Sequence, residues 1–412
     1  MSGMNTEIVT TEKTVFGGNT IARIDSKTVF IPFSLPGETL SINIVQHKND
    51  YDNAEIVKII EPSPYRIDPP CKYYGLCGGC NMMHIAPEYQ RELRKQMLFD
   101  AYKSNKIEPS CEIETVFGPD YNYRARFQLN QGGLSQRSGN NVVKIKECLC
   151  AEKPINQFFA ETEPEKRPSD RCHIFGSEKA SEKLVIETEN GLSGKNGVIN
   201  NRQFGNKSKK LKNIKQNHYF SGTILSPENT VTALIKDQKI EFDVRGFFQS
   251  NLFVFEKVID LMEKLLPRGE NVLDMYAGCG SFSVFLAEKF SNVVLVEHNR
   301  DALVFAEKNL AGKTHTSYGL SGENWVKTCA SGCPSFDACV IDPPRSGAEK
   351  AVIDYLCKSE IPVIFYVSCN PATQARDAKG LINAGYSLER LFLLDFYPNT
   401  SHIESLALFI KS

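Results

Sequence analysis

The sequence predicts an α/β protein, in which a C-terminal domain with a parallel sheet follows a small β-barrel and a central α+β domain that carries a metal cluster. Three observations predict this arrangement. Short apolar strands alternate with helical segments from about residue 251 onward, which is typical of a parallel sheet. Residues 6–60 contain short β-rich runs, and closely spaced cysteines follow them. The predicted domains are therefore 1–62, 63–250 and 251–412.

Length and composition limit the class of protein. The chain has 412 residues, too many for one ordinary core, and its 41% hydrophobic and 24% charged residues are typical of a soluble globular protein. With a net charge of -1, any nucleic-acid surface must be a local patch. No apolar run has the length of a membrane span, and the N-terminus lacks an export signal. We expect a cytoplasmic protein without a membrane partner, whose 13 cysteines serve metal binding, catalysis or burial.

The N-terminal domain is predicted from strand-like segments. Residues 29–32 and 40–45 are β-rich and flank a turn at Pro36-Gly37, and residues 54–60 provide a further strand. Prolines concentrated between residues 62 and 70 then stiffen the chain. We therefore expect a barrel that ends at about residue 62.

The central region mixes several patterns. A helix is predicted over residues 87–104, with proline at its first turn, and strands are predicted over 121–147. Residues 161–217 are polar and irregular in pattern. They include a basic run at 202–215, which is either a solvated loop or an RNA contact.

The C-terminal domain contains a ligand-binding pattern. Buried strands are predicted at 272–275, 293–296, 338–341 and 362–367. The string DMYAGCG (274–280) ends the first strand and opens a helix to residue 289, and its glycines let a ligand approach the backbone. Glu297 ends the second strand, where a carboxylate can accept both hydroxyls of a ribose. The third glycine of the dinucleotide fingerprint is absent, so the pattern favours S-adenosylmethionine over a plain turn without a ligand.

Asp342 follows a later strand and begins the string DPPR (342–345). The prolines stiffen this loop at the carboxyl edge of the sheet. The acid can therefore accept hydrogen bonds from a base or from a methyl donor, or it can belong to a structural turn.

The cysteine cluster has the spacing C-x5-C-x2-C in Cys71, Cys77 and Cys80, with Cys148 and Cys150 further along. Four thiolates can hold zinc or a [4Fe–4S] cluster, and the x5 spacing is less typical of zinc ribbons. Either Cys148 or Cys150 could be the fourth ligand. Buried free thiols are the alternative to metal binding.

Cys369 and Glu404 lie in the strings SCNP (368–371) and SHIE (401–404), each at the end of a strand-like run. A thiolate can add to an electron-poor carbon, and a carboxylate can remove a proton. This pair predicts covalent catalysis in the domain that binds the methyl donor.

Together these strings resemble the RNA 5-methyluridine methyltransferase family over nearly the whole chain. The resemblance is carried, in order, by LPGE (35–38), C-x5-C-x2-C, VKIKEC (143–148), FFQSN (247–251), DMYAGCG, Glu297, DPPR, SCNP and HIE (402–404). It implies a Rossmann-like class I methyltransferase domain, an N-terminal TRAM- or OB-like RNA-binding barrel and an iron–sulfur domain. S-adenosylmethionine and a [4Fe–4S] cluster are the implied cofactors.

The resemblance also implies roles for individual residues. Cys369 would attack carbon 6 of uracil, carbon 5 would take the methyl group, and Glu404 would remove the carbon 5 proton. The implied donor-binding residues are Gln249, Tyr276, Ser281, Glu297 and Asp342. The implied cluster ligands are Cys71, Cys77, Cys80 and Cys148. Arg124, beside aromatic residues, either contacts RNA or belongs to an amphipathic surface strand.

The implied substrate is RNA, with rRNA favoured over tRNA, and we expect a monomer. Two other functions suit part of the sequence. An Asp-Pro-Pro string also suits methylation of an exocyclic base nitrogen, and the barrel and cysteine cluster would suit a non-catalytic RNA-binding protein. The presence of both Cys369 and Glu404 disfavours these alternatives.

Overall fold

The computed structural model describes residues 6–188, 193–195 and 230–411. The basic run at 202–215 lies outside the described residues. Within those ranges, no helix combines the length and hydrophobicity that crossing a membrane requires.

The N-terminal region is a β-sheet with its own small core. Its strands are β1 (Glu7–Thr10), β2 (Lys13–Thr14), β3 (Thr20–Ile24), β4 (Lys27–Ile31), β5 (Thr39–His47) and β6 (Tyr51–Glu61). They form a sheet in the order β1-β5-β6-β4-β3-β2, which confirms the strands predicted in this region. Leu40 and Ile42 alternate with more exposed residues along β5 and are fully buried. The buried Glu38 accepts two hydrogen bonds from Arg66, at 2.5 and 2.7 Å, and this fixes the proline-rich boundary against the sheet.

The central region contains strands of four different sheets. They are α1 (Pro87–Ser104), β7 (Ile113–Val116), β8 (Arg126–Leu129), β9 (Leu134–Ser135), β10 (Val142–Val143), α2 (Lys153–Glu161), β11 (Cys172–Gly176), β12 (Leu184–Thr188), β13 (Ser193–Lys195), β14 (Thr230–Ile235) and β15 (Gln238–Asp243). The helix predicted over 87–104 is confirmed with both ends at the predicted residues. Strands β13, β12, β11 and β8 form one sheet, in that order.

Of two further predictions for this region, one is confirmed and one is wrong in part. Strands were predicted over 121–147, and the short strands β8, β9 and β10 lie there with turns between them. Residues 172–188, predicted as irregular, form the hairpin of β11 and β12, and Ile174 and Val185 are buried in it. The alternation was hidden because polar residues such as His173 and Glu187 are buried beside the apolar ones.

The C-terminal region forms a large sheet covered by helices on both faces. Its elements are α3 (Leu252–Leu265), β16 (Gly269–Met275), α4 (Ser283–Leu286), β17 (Phe290–Val296), α5 (Arg300–Asn309), β18 (His315–Tyr318), α6 (Gly322–Thr328), β19 (Ala338–Ile341), α7 (Lys350–Ser359), β20 (Val363–Ser368), α8 (Pro371–Asn383), β21 (Tyr386–Leu394) and β22 (Glu404–Lys411). The strand order is β18-β17-β16-β19-β20-β22-β21-β7. The five neighbouring strands β18, β17, β16, β19 and β20 are parallel, whereas β22 is antiparallel to both of its neighbours. The predicted parallel arrangement is therefore confirmed for these five strands of a sheet that is mixed as a whole.

The helix predicted from the glycine loop to residue 289 is shorter than expected. Helix α4 ends at Leu286, and the next residues form tight turns in which Glu288 and Lys289 donate to the carbonyl groups three positions earlier. Strand β17 begins at Phe290, so the chain has no room for another helical turn.

Helix α1 and strand β7, which the sequence analysis assigned to the central domain, pack on the C-terminal sheet. Strand β7 pairs in parallel with β21, and Tyr102 of α1 donates a hydrogen bond to Gln374 of α8 at 3.1 Å. Leu98 of α1 lies in the same apolar core as Leu381 of α8. These two elements therefore pack with the C-terminal sheet, although they precede the predicted domain boundary at residue 251.

Candidate active site

Acidic side chains line the carboxyl edge of the parallel sheet. Glu297 follows β17, Asp274 lies near the end of β16, and Asp342 follows β19, and these strands are neighbours. The pKa of Asp274 is raised to about 7, mainly by burial and to a smaller extent by the nearby Glu297 carboxylate. The pKa of Asp342 is also raised to about 7, first by burial and then by Asp274. These three residues, Glu297, Asp274 and Asp342, are called the acidic row below, and their carboxylates would stabilise a cationic ligand at this edge of the sheet.

The glycine loop is tied to Glu297. Gly278 has a φ of 57° and donates its N–H to Glu297 Oε2 at 2.9 Å, and Asn299 donates its N–H to Glu297 Oε1 at 2.6 Å. A side chain at Gly280 would meet Ala306 Cβ at 3.1 Å, so this glycine permits close packing of the loop on α5. Glu297 is therefore held rigidly, with lone pairs left to accept hydrogen bonds from a ligand.

Two further loop residues differ in their surroundings. Tyr276 has a φ of 67°, and its hydroxyl donates to Glu349 Oε2 at 2.5 Å, which ties the loop to the start of α7. Ser281 is half-buried ahead of α4. Its neighbour Ser283 donates to Asp274 Oδ2 at 2.5 Å, a contact that sequence reasoning missed because nothing in the spacing marks it.

The string FFQSN lies between the central region and the C-terminal sheet. Gln249 is buried, and Ser250 accepts the N–H of Ala125 at 2.7 Å through its carbonyl oxygen. Asn251 donates to the Phe396 carbonyl at 3.1 Å and caps α3 by accepting the N–H of Val254. The ring of Phe247, in contrast, is 56% exposed. The string thus contributes a buried amide and an exposed aromatic ring from one short segment.

Cys369 and Glu404 are brought together by the pairing of β20 with β22. Ser368 and Ser405 are partners in this antiparallel ladder, so the residues next to them, Cys369 and Glu404, lie side by side at its end. The pKa of Cys369 is raised to about 12, first by burial and then by Glu404 and Asp342. The pKa of Glu404 is raised to about 8, by burial and then by Asp342, whereas Arg345 acts to lower it. The thiol, both carboxyl groups and the Arg345 guanidinium therefore share one site.

Two residues that were given no role in advance contribute to this site. Arg345 is exposed, and its carbonyl accepts a hydrogen bond from Asn370 Nδ2 at 3.0 Å. Its place in the DPPR string and its charge were the available signals. Tyr397 is half-buried, and its pKa is raised by burial and then by the Glu404 carboxylate. No sequence pattern marked it.

Arg124 lies just before strand β8 and is only partly exposed to solvent. It is half-buried, donates from Nε to the Arg126 carbonyl at 3.0 Å, and lies over the ring of Phe127 at 4.9 Å. It also forms isolated bridges with Ala151 and Asn251. An RNA contact by Arg124 stays a prediction.

The predicted cluster cysteines lie in one region. Cys71, Cys80 and Cys148 pack against the small core of Met83, Tyr123 and Cys150, and the Sγ of Cys150 is 3.8 Å from that of Cys80. Burial raises the pKa of Cys77, with smaller contributions from Cys148 and Cys71. The pKa of Cys148 lies well above its usual range because its thiol interacts with that of Cys150 and is buried. Clustered thiols of this kind are suited to become thiolates when a metal centre supplies positive charge.

The arrangement of these cysteines bears on the metal centre that they could hold. Among the described residues, no three Cys, His, Asp or Glu side chains converge as the ligands of a single ion do. Four thiols are the donor set that a cubane cluster uses, with each thiolate on a different iron. Binding of a cluster by these cysteines stays a prediction.

The fold and the acidic row define a Rossmann-like methyltransferase, and comparisons with known proteins agree. The family model described as tRNA (Uracil-5-)-methyltransferase matches residues 332–412. An RNA methyltransferase of Treponema denticola is 35% identical over 448 aligned positions, which cover 99% of this chain and all of the relative. The 23S rRNA (uracil(1939)-C(5))-methyltransferase RlmD of Haemophilus parainfluenzae is 28% identical, with 96% and 94% of the two chains covered.

A solved structure has the same fold. The tRNA (uracil-54, C5)-methyltransferase of Pyrococcus abyssi, solved with S-adenosyl-L-homocysteine, superposes with a TM-score of 0.71 over 98% of this chain and 100% of that chain, at 21% identity. The chain belongs to the RNA 5-methyluridine methyltransferase family, whose members are S-adenosylmethionine-dependent enzymes.

Proposed function

We propose that this enzyme methylates carbon 5 of a uridine in 23S rRNA through a covalent adduct with Cys369. The observation that carries the mechanism is the side-by-side position of Cys369 and Glu404 at the end of the β20–β22 ladder. Relatives named as 23S rRNA enzymes, similar over nearly their whole length, support the target. The uridine equivalent to position 1939 of those relatives is the first candidate.

The steps balance as follows. The Cys369 thiolate forms a bond to carbon 6, and the electron pair of the carbon 5–carbon 6 double bond moves toward carbon 4 and its oxygen. Carbon 5 then forms a bond to the methyl group of the donor as the methyl–sulfur bond breaks, and the sulfonium leaves as the neutral thioether S-adenosylhomocysteine. Glu404 removes the proton from carbon 5, the double bond re-forms, and the bond to Cys369 breaks to regenerate the thiolate. The proton on Glu404 is released to solvent.

The acidic row suits the donor in this proposal. S-adenosylmethionine carries a sulfonium and an ammonium group, and these positive charges would favour the ionised forms of the buried Asp274 and the half-buried Asp342, whose pKa values are both raised to about 7. Glu297 would accept the ribose hydroxyls, with Gln249, Tyr276 and Ser281 as the other proposed donor-binding residues. The exposed Phe247 ring is available to stack on a base that has left the helix.

The remaining proposals concern the other parts of the chain. Cys71, Cys77, Cys80 and Cys148 would hold a [4Fe–4S] cluster, which would supply a rigid cross-link between chain segments. The N-terminal sheet, as a TRAM-like barrel, would contact RNA. A cytoplasmic location and a monomeric state belong to the same proposal, the former because all 13 cysteines are free thiols.

The central test traps the adduct. Glu404→Gln, incubated with S-adenosylmethionine and a 23S rRNA transcript, should accumulate a protein–RNA species on a denaturing gel, because proton removal precedes release of Cys369. Cys369→Ala and the double variant should form none. Cys357→Ala, which removes a half-buried thiol on α7, is the matched control and should behave as wild type. Normal turnover by Glu404→Gln without any adduct would defeat the mechanism.

The target is tested separately. Mass spectrometry of rRNA and tRNA from a strain lacking the gene should show loss of 5-methyluridine from 23S rRNA and not from tRNA. Loss from tRNA alone would reject the rRNA target, and a missing methyl group on an exocyclic nitrogen would reject carbon 5 chemistry.

A further inference from the structure

The loop of residues 395–403, which leads into Glu404, is held by distant parts of the chain. At its start, Arg94 of α1 donates to Asp395 Oδ1 at 2.7 Å, and both side chains are buried. At its end, Glu404 is the first residue of β22, where it pairs with Leu394, the last residue of β21. Residues 395–403 lie between these paired strands, and contacts such as that of Arg94 hold them from outside the C-terminal strands.

Asn81 makes the central contact with this loop. Its Oδ1 accepts the N–H of Ser401 at 2.9 Å, and its Nδ2 donates to Ser401 Oγ at 2.9 Å and to the Gly17 carbonyl at 3.0 Å. A backbone N–H can only donate and a carbonyl can only accept, so these partners fix the orientation of the amide. Asn81 directly follows Cys80 in the chain. One side chain thus joins the cysteine loop, the hairpin between β2 and β3, and the loop before Glu404.

A second asparagine reinforces the same contact. The Asn399 carbonyl accepts the N–H groups of Asn81 and Met82, at 3.2 and 3.0 Å. Asn399 is buried with a φ of 67°, and its own N–H donates to Gln90 Oε1 at 2.8 Å. A non-glycine residue keeps this conformation only where its surroundings determine it. Residues 81–90 therefore hold the part of the loop around Asn399.

The tip of the hairpin fits closely against the same point. A Cβ atom at Gly18 would lie 2.8 Å from Asn81 Nδ2 and 2.8 Å from Ser401 Cβ. At the adjacent Gly17, a Cβ atom would meet nothing within 4 Å. Both glycines have a positive φ, 98° for Gly17 and 86° for Gly18, so a side chain would strain the backbone at either position. Only a side chain at Gly18 would also collide with Asn81 and Ser401.

We propose that Asn81 is a positioning residue for Glu404, and that through it the cysteine loop and the β2–β3 hairpin hold the catalytic base against the Cys369–uracil adduct. The proposal rests on the role of Glu404 given above. It gives the cysteine cluster a function that requires no electron transfer: a rigid loop at Cys80 keeps Asn81 in place. Asn81 itself touches neither Cys369 nor Glu404 in the described contacts, so its effect passes through Ser401.

Asn81→Ala provides the first test. With a 23S rRNA transcript and S-adenosylmethionine, kcat should fall by about 10- to 100-fold, because a small displacement of the base slows proton removal, whereas KM for both substrates stays within about twofold. The adduct seen with Glu404→Gln should also accumulate. Iron per chain, measured on anaerobic protein, should equal that of wild type. Asn81→Asp keeps the acceptor for the Ser401 N–H and should recover part of kcat.

A glycine pair provides the second test and does not remove any polar group. Gly18→Ala should reproduce the fall in kcat and the adduct, since its methyl group displaces Asn81 and Ser401. Gly17→Ala, the matched control, should retain at least half of the wild-type kcat. If Asn81→Ala does not fold, this pair decides the matter alone.

The outcomes separate this proposal from the one before it. If Glu404→Gln itself traps no adduct, the proposed mechanism is wrong. If Glu404→Gln traps the adduct but Asn81→Ala and Gly18→Ala do not, only the positioning role is overturned. A rise in KM for the transcript with unchanged kcat would also overturn it, because it would make Asn81 an RNA-binding residue.

Discussion

Cys369 lies beside two acidic groups, which is an unfavourable place for a thiolate. Burial, Glu404 and Asp342 all raise the pKa of its thiol, and Arg345 lowers it. At neutral pH the ligand-free thiol is therefore protonated, and attack on uracil requires positive charge nearby. The sulfonium of the donor and the Arg345 guanidinium are the groups suited to supply it.

This balance of charge predicts the effect of replacing Arg345. Arg345→Gln removes the opposing charge, so the pKa of Cys369 should rise and its thiolate fraction should fall, by about tenfold per pKa unit. Alkylation of Cys369 by iodoacetamide at pH 8, followed by peptide mass spectrometry, should slow accordingly. Arg345→Lys keeps the charge and should stay close to wild type. Arg268→Gln, an exposed arginine that donates to the Glu288 carbonyl, is the control. Equal rates for the Gln and Lys variants would contradict the charge effect.

Among individual residues, those that directly follow a strand could be predicted from the sequence, whereas the residues that hold these site residues in place could not. Cys369, Asp342 and Glu297 could be placed because each comes directly after a buried strand, and parallel strands bring such positions to one edge. Asn81 could not be placed, because its partner Ser401 is 320 positions away and a single asparagine carries no pattern. The link from Tyr276 to Glu349 was hidden for the same reason.

The loop that contains the cysteines is the element whose chemistry is least apparent from spacing alone. Cys148 and Cys150 are two residues apart, and the structure brings Cys150 into contact with Cys80 while burying it more deeply than Cys148. A buried thiol in this position can support the ligands by packing without binding iron.

Replacing each of these two cysteines by serine distinguishes the cysteine that binds iron from the one that only packs beside the ligands. We expect Cys148→Ser to lose most of the iron, about four atoms per chain in wild type for a cubane cluster, and Cys150→Ser to retain it. Iron and sulfide assays on anaerobically purified protein measure this, and Cys172→Ser, in the buried strand β11, is the control for loss of a thiol elsewhere. Iron retained in Cys148→Ser and lost in Cys150→Ser would reverse the assignment. Stoichiometric zinc in place of iron would reject the cluster.

Elements of the central region show where sequence patterns stop being informative. Helix α1 was predicted to the residue, with Pro87 as the signal that marks its start. Strand β7 was not predicted as part of the C-terminal sheet, because a short edge strand of mixed polarity, Ile113–Val116, contains no information about its partner. Pairing between distant strands depends on tertiary contacts that local propensity does not encode.

Across the whole molecule, the site is a meeting point of all three regions rather than a feature of one domain. The hairpin of the N-terminal sheet reaches Asn81, the segment after the cysteines reaches the loop before Glu404, and FFQSN reaches Phe396. Such an arrangement keeps several ionisable groups away from water at once. The stability of the whole chain should therefore depend on pH.

Asp274, Asp342 and Glu404 determine the sign of that dependence. Their pKa values in the folded protein are raised to about 7, 7 and 8, against about 4 for such groups in an unfolded chain. Between about pH 4 and pH 8 the folded state therefore binds more protons than the unfolded state, so the free energy of unfolding falls as pH rises through this window. Below about pH 4 the groups are protonated in both states, and their contribution is fully present.

We expect Asp274→Asn to make the free energy of unfolding less dependent on pH, by up to about 1.4 kcal/mol per pH unit between pH 6 and pH 8, because one titrating carboxyl is removed. Asparagine can still accept the hydrogen bond from Ser283. Urea unfolding at a series of pH values measures the slope, and Asp354→Asn, an exposed carboxylate on α7, is the control that should leave it unchanged.

S-adenosylmethionine should stabilise wild type more at pH 8 than at pH 6, since its positive charges favour the ionised carboxylates. If the free energy of unfolding of Asp274→Asn depends on pH as steeply as that of wild type, Asp274 is already ionised in the folded protein. A cationic donor would then bind beside Asp274 without the release of a proton from its carboxyl group.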